Sequence, residues 1–107
     1  MLQEKPLAEP LSFTFYTYSQ AGFPLEERWA RTGIPDIFFG DCEEARRAVI
    51  ALRDDVTADP EVEWPTMILE KIETVRVTRA SVLALLNTGP GTFIASYDII
   101  ETIGPKA

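Results

Sequence analysis

Side chains able to move protons or attack carbon are scarce in this sequence, and that scarcity limits its chemistry. There is no histidine and a single cysteine, Cys42. Histidine is the side chain that exchanges protons near neutral pH without help from its surroundings. A cysteine nucleophile needs a base or a cation beside it to stabilise the thiolate. Cys42 falls at the expected start of a helix, which favours a thiolate, but Asp41, Glu43 and Glu44 surround it with opposing negative charge. A structural thiol is the expectation, and no catalytic residue is assigned.

Carboxylates offer little more. Between Asp54 and Glu73 there are seven acids and one base, Lys71, so this segment carries −6 of the net charge of −7. Asp55, Thr57 and Asp59 have the spacing that opens an EF-hand loop. Pro60 stands where that loop needs glycine, however, and Thr66 where it needs a bidentate glutamate. The segment therefore reads as a solvated acidic flank, with no metal or cofactor expected. Asp36 with Asp41, and Asp98 with Glu101, could pair for acid–base work only if they faced one cleft. Gly89-Pro90-Gly91 follows a helical pattern and precedes a strand, the reverse of a phosphate-cradling loop, and reads as a turn.

Aromatic and arginine residues point instead to contact with another protein. Tyr16, Tyr18, Trp29, Arg28, Arg31 and Trp64 are the candidate interaction residues, because tyrosine, tryptophan and arginine dominate binding hot spots. The bland alternative for both tryptophans is that they cover the core from its edge.

The elements that must position these residues are legible from periodicity. Residues 1–10, with two prolines and mixed charge, read as a flexible N-terminal tail before a single domain over 11–107. Leu11, Phe13 and Phe15 alternate with Ser12, Thr14, Tyr16 and Tyr18, a half-buried strand. Pro24 to Gly33 has the proline, acidic and basic order of one short helix. Ile37-Phe38-Phe39 is a brief strand. Asp41 and Glu44 form a capping-box pair for a helix with Ala45, Ala48, Val49 and Leu52 inward. Residues 66–77 form a long strand whose alternation shifts phase near Glu70-Lys71, as at a bulge. Thr78 caps a second helix with Ala80, Leu83, Ala84 and Leu86 inward, and 92–103 is the last strand. Phe13, Phe15, Ala45, Val49, Leu52, Leu83 and Leu86 are the predicted core.

These elements define an α+β domain with a three- to four-stranded sheet and two helices packed on one face. Clustered Lys and Arg are missing, which disfavours nucleic acid. No apolar leader opens the chain and no run matches a membrane span, so a cytoplasmic protein without membrane contact is expected. The favoured function is a small acidic, non-catalytic protein acting by protein–protein interaction, including homodimer formation through a strand edge or the Tyr16/Tyr18 face. The alternative is a histidine-independent small-molecule enzyme or ligand-binding domain, using Tyr, Arg, Asp or Glu in a pocket between sheet and helices.

Overall fold

A computed structural model describes residues 11–22, 24–30 and 36–105. The expected tail 1–10 lies outside the described residues, as do Arg31 and the end of the short helix expected over 24–33. Three strands, β1 (Thr14–Gln20), β2 (Met67–Thr74) and β3 (Ile94–Ile103), pair antiparallel in the spatial order β1-β2-β3. The helix α1 (Cys42–Val56) lies between β1 and β2, and α2 (Arg79–Thr88) between β2 and β3. The architecture is α+β, as the sequence predicts.

Cross-strand partners share a sheet face, and successive residues alternate between faces. Tyr18, Leu69 and Glu101 therefore share one face, and Thr17, Glu70 and Ile99 the other. The first face belongs to α1. Val49, Trp64 and Ile103 form its buried cluster, with Tyr18, Ile50, Val56 and Met67 packed around them. The Trp64 indole N–H donates to the Ile103 carbonyl at 3.1 Å, so its burial leaves no orphaned donor. Arg46 Nε reaches Glu101 at 3.0 Å and ties α1 to β3 across exposed surface.

The second helix does not join α1 on that face. It leans on the 3-10 turn Pro90–Thr92, and its Leu85 approaches Phe15, Ile72 and Thr74 on the opposite face. No residue of α2 is buried. Its inward residues are Ser81, Ala84 and Leu85, whereas Leu83 and Leu86 are 53% and 72% exposed. The predicted rotation of α2 is thus wrong by nearly half a turn at Leu86. The Thr78/Ser81 capping box forms, with each side chain bonded to the other's backbone N–H. Gly89 closes the helix at φ +102°, a conformation that favours glycine, and its N–H donates to the Leu85 carbonyl. Capping sets where α2 starts and stops, but it does not set which face turns inward.

Other expectations change as well. Asp41 occupies the N-cap of α1 with extended backbone, but its side chain makes no capping hydrogen bond. Within 24–30 only Leu25–Glu27 forms a 3-10 turn. Phe39 contributes a single bridge, its N–H and C=O both bonded to Tyr16, instead of a short strand. The register does shift beside Glu70, but the extra residue is Ile100 on β3, and a second shift leaves Ala95 unpaired. Ile68, Leu69 and Glu70 are consecutive and all buried. The phase irregularity in β2 reflects a central strand covered on both faces, which has no reason to alternate.

Of the predicted core, Ala45 and Val49 are fully buried and Phe15 half-buried, while Phe13, Leu52, Leu83 and Leu86 are exposed. Ile103→Ala is expected to cost about 2–5 kcal/mol, the range for a large aliphatic residue lost from a packed core. Leu86→Ala is expected to change the stability of a single copy by no more than about 0.5 kcal/mol. Urea unfolding of both variants checks the assignment, and comparable losses would place α2 against the sheet.

Candidate functional site

The described residues contain one convergence of charged and polar side chains, centred on Glu70. Glu70 lies mid-way along the central strand with a solvent exposure of 0%. A carboxylate cannot be buried in that way unless it is paired and hydrogen-bonded. Arg28 supplies the pairing just after the 3-10 turn Leu25–Glu27. Its Nε donates to Glu70 Oε2 and its Nη2 to Oε1, both at 2.7 Å, the bidentate fork that suits guanidinium and carboxylate. Nη1 and Nη2 also donate to the two oxygens of Asp36, each at 3.2 Å. From β3 the Tyr97 hydroxyl donates a short hydrogen bond to Glu70 Oε2.

Apolar rings close this cluster. The Arg28 guanidinium carbon sits 3.9 Å from the centre of the Trp29 ring, a cation–π contact. Trp29 stacks on Phe38 and meets Tyr97 edge-on, with ring centres 6.2 and 5.8 Å away. The Trp29 carbonyl lies so close to Gly91 that a Cβ there would approach it to 2.7 Å. Beside Glu70 on the sheet, the fully buried Thr17 donates its hydroxyl to the Ile37 carbonyl at 2.7 Å.

Electrostatics agree with the geometry. Burial of the Arg28 guanidinium disfavours its charge, but the hydrogen bonds and charges of Glu70 and Asp36 outweigh this and raise its pKa. Desolvation, followed by the hydrogen bond to Glu70, pushes the Tyr97 hydroxyl above the ordinary tyrosine value. One cation thus faces two carboxylates, and a protonated phenol completes the inner one. Every oxygen of Glu70 is occupied, and the Arg28 and Asp36 side chains are only 11% and 15% exposed. Chemically this is a closed latch. It fastens Arg28 and Asp36, which flank the 31–35 stretch, onto the middle of the sheet.

A second feature is apolar. Phe15, Phe38, Ile72, Thr74, Leu85, Pro90, Phe93 and Ile94 line a half-open cavity of about 180 Å³ whose lining presents no polar surface. The one polar side chain among them, Thr74, accepts the Phe13 N–H at 2.9 Å.

Most residues singled out from the sequence are occupied within the chain. Arg28 is in the latch and Trp29 stacks over it. Trp64 is buried, and Tyr18 packs on the core and stacks on Phe39. Tyr16 is half-buried, its backbone engaged by Phe39. Cys42 opens α1 half-buried. Neither carboxylate pair faces a cleft: Asp36 holds Arg28 and Glu101 holds Arg46, while Asp98 lies exposed opposite Lys71 and Asp41 is exposed at the N-cap. Asp59 accepts the Glu61 N–H at 3.0 Å in a local turn. Among the described residues no group of three or more His, Cys, Asp or Glu could hold a metal.

Grouping Glu70 with the solvated acidic flank is the main correction here. Its own signal was present in the sequence. It is a lone acid inside the apolar run Met67-Ile68-Leu69-Glu70-Lys71-Ile72, and a buried charge requires a partner. Nothing local could name that partner, because Arg28 is 42 residues away.

No protein-family model, curated protein or solved structure matches this chain.

Removing Arg28 strands a buried carboxylate, so Arg28→Ala is expected to cost about 3–5 kcal/mol in urea unfolding. Adding Glu70→Leu to Arg28→Ala should recover much of that loss, because both charges are then gone. A loss well below 1 kcal/mol in the single variant would show that the pair does not hold the connection. The pH dependence has a defined sign. The fold holds Tyr97 protonated, while an unfolded tyrosine ionises at about pH 10. The contribution of Tyr97 is therefore complete below about pH 10 and is lost as pH rises through the raised folded value. Thermal midpoints should fall on the alkaline side, and Tyr97→Phe should flatten that arm while lowering stability at neutral pH.

Proposed function

We propose that this protein acts by contact with another protein rather than by catalysis, and that its simplest partner is a second copy of itself. One observation carries this reading: α2 turns an apolar stripe of Val82, Leu83 and Leu86 toward solvent. These residues stand three and four positions apart and so form one continuous face. Exposed apolar stripes of this kind mark surfaces that receive a partner.

Charge favours a second copy. Two chains of net charge −7 repel over most of their surface, but residues 74–97 contain no acid. Contact through α2 therefore meets no carboxylate. A two-fold arrangement with antiparallel helices also sets Arg79 of each copy against the far end of the other. The sheet edges are weaker places for association. On β1 the edge is met by Phe39 at Tyr16, and β3 carries two register irregularities along with Asp98 and Glu101, devices that discourage edge pairing. Tyr16 and Trp29 keep part of their surfaces open and would serve only as rim contacts.

The same reading sets aside acid–base catalysis at Arg28, Asp36, Glu70 and Tyr97, whose polar atoms are spent on one another. A cytoplasmic location belongs to the proposal, supported by the single cysteine of a chain that makes no internal disulfide. Among the described residues no helix is long and apolar enough to cross a membrane.

Light scattering over a concentration series tests the proposal. The expected mass is twice the 12.0 kDa of the chain. Leu83→Glu with Leu86→Glu should return the mass to one copy while leaving the chain folded, with a thermal midpoint that no longer depends on concentration. Tyr16→Asp should leave the dimer intact, because Tyr16 lies on the face opposite α2. A constant monomer mass, or a dimer lost in Tyr16→Asp and kept in the α2 variant, overturns the assignment.

A further inference from the structure

The apolar cavity behind α2 is built from every element around it. Phe15 comes from β1, Phe38 from the connection, Ile72 and Thr74 from β2, Leu85 from α2, and Pro90 and Phe93 from the link to β3. Protein interiors are close-packed, and voids larger than a water molecule are few. An apolar cavity of about 150 Å³ stays dry and is large enough to take up benzene. At about 180 Å³ the present one is slightly larger and is open on one side, with three phenylalanine side chains in its wall.

We propose that this cavity is a binding site for a free, uncharged apolar molecule about the size of one six-membered ring. The lining determines the class. It offers no charge, and its one polar side chain, Thr74, has its hydroxyl oxygen engaged by the Phe13 N–H. A charged or strongly polar ligand would lose its hydration with nothing in exchange. A peptide segment would bring backbone N–H and C=O groups that the lining cannot pair, which favours a small molecule over an inserted partner.

The open side supplies a way in, and the wall formed by α2 can widen it. The helix has no buried residue and is fixed at its ends, by the Thr78/Ser81 box and by the buried Gly89-Pro90 corner. Elements with few buried contacts open at low free-energy cost. Displacement of Leu85 would widen the mouth while the sheet and the Arg28–Glu70 latch stay in place. Leu85 faces the cavity, and Leu83 and Leu86 face away from it, so this site is separate from the proposed dimer face.

Benzene titration followed by methyl NMR tests the site, in the native chain and in the Leu83→Glu/Leu86→Glu variant. The methyl signals of Ile72, Leu85 and Ile94 should shift saturably in both backgrounds, whether or not the native chain dimerises. Leu85→Trp fills the space from the weakly packed helix and should weaken binding at least about tenfold, a change of 1.4 kcal/mol. Leu85→Ala enlarges the space and should shift preference toward naphthalene. Benzoate, matched in ring size but charged, should leave the three residues unshifted. Linear shifts without saturation, shifts at cavity methyls that survive Leu85→Trp, or benzoate binding as well as benzene would each overturn the proposal.

Discussion

A carboxylate with no access to solvent governs much of this molecule. Glu70 occupies the centre of the central strand, where ladder geometry points it at one face and both neighbouring strands prevent its escape. An isolated buried charge is not tolerated, so Arg28 must be brought to it. That requirement sets the path of the chain after β1. The 3-10 turn presents Arg28, Trp29 follows over the guanidinium, and Asp36 returns to the same group. Gly91 then fits under the Trp29 carbonyl, where no Cβ can be placed without displacing the backbone. One face of the sheet is thus covered by irregular chain held by charge together with Leu85 of α2, and the other by α1, held by apolar packing.

The two helices illustrate different ways of being stable. The first, α1, buries Ala45 and Val49 and shares a cluster with Trp64 and Ile103, so tertiary burial secures it. The second, α2, has well-formed ends and little beneath it. Ten residues are marginal for an isolated helix, and its caps account for its boundaries more than for its stability. Such an element costs little to move and gains most from a partner. Its position between an apolar cavity and an apolar outer stripe places both proposed binding events on the least secured part of the fold.

How much was legible in the sequence follows from the range of each interaction. Helix starts, the Gly89 stop and the extended span of β1 are local properties, decided within four residues of themselves, and they were readable. The α+β class followed from their order. The buried faces were less secure. Ala45 and Val49 were readable because α1 has one strongly apolar stripe. The orientation of α2 was not, because Val82, Leu83, Leu85 and Leu86 offer apolar residues on both sides and the helix has no rule of its own for choosing between them. Whichever leucine lies nearest Phe15 and Ile94 decides it, and that is a matter of strand order.

The sequence by itself thus determined the three main strands and two helices, the residue types it lacks and the acidic imbalance, since each depends on residue type or near neighbours. Tertiary structure alone decided that Arg28 and Tyr97 complete Glu70, and that Trp64 and Tyr18 serve the core. Those outcomes rest on contacts between residues 27 to 51 positions apart, as in Tyr97 with Glu70 and Tyr18 with Leu69. Burial converts such a contact from a weak surface pairing into a requirement, and only the folded chain specifies what is buried.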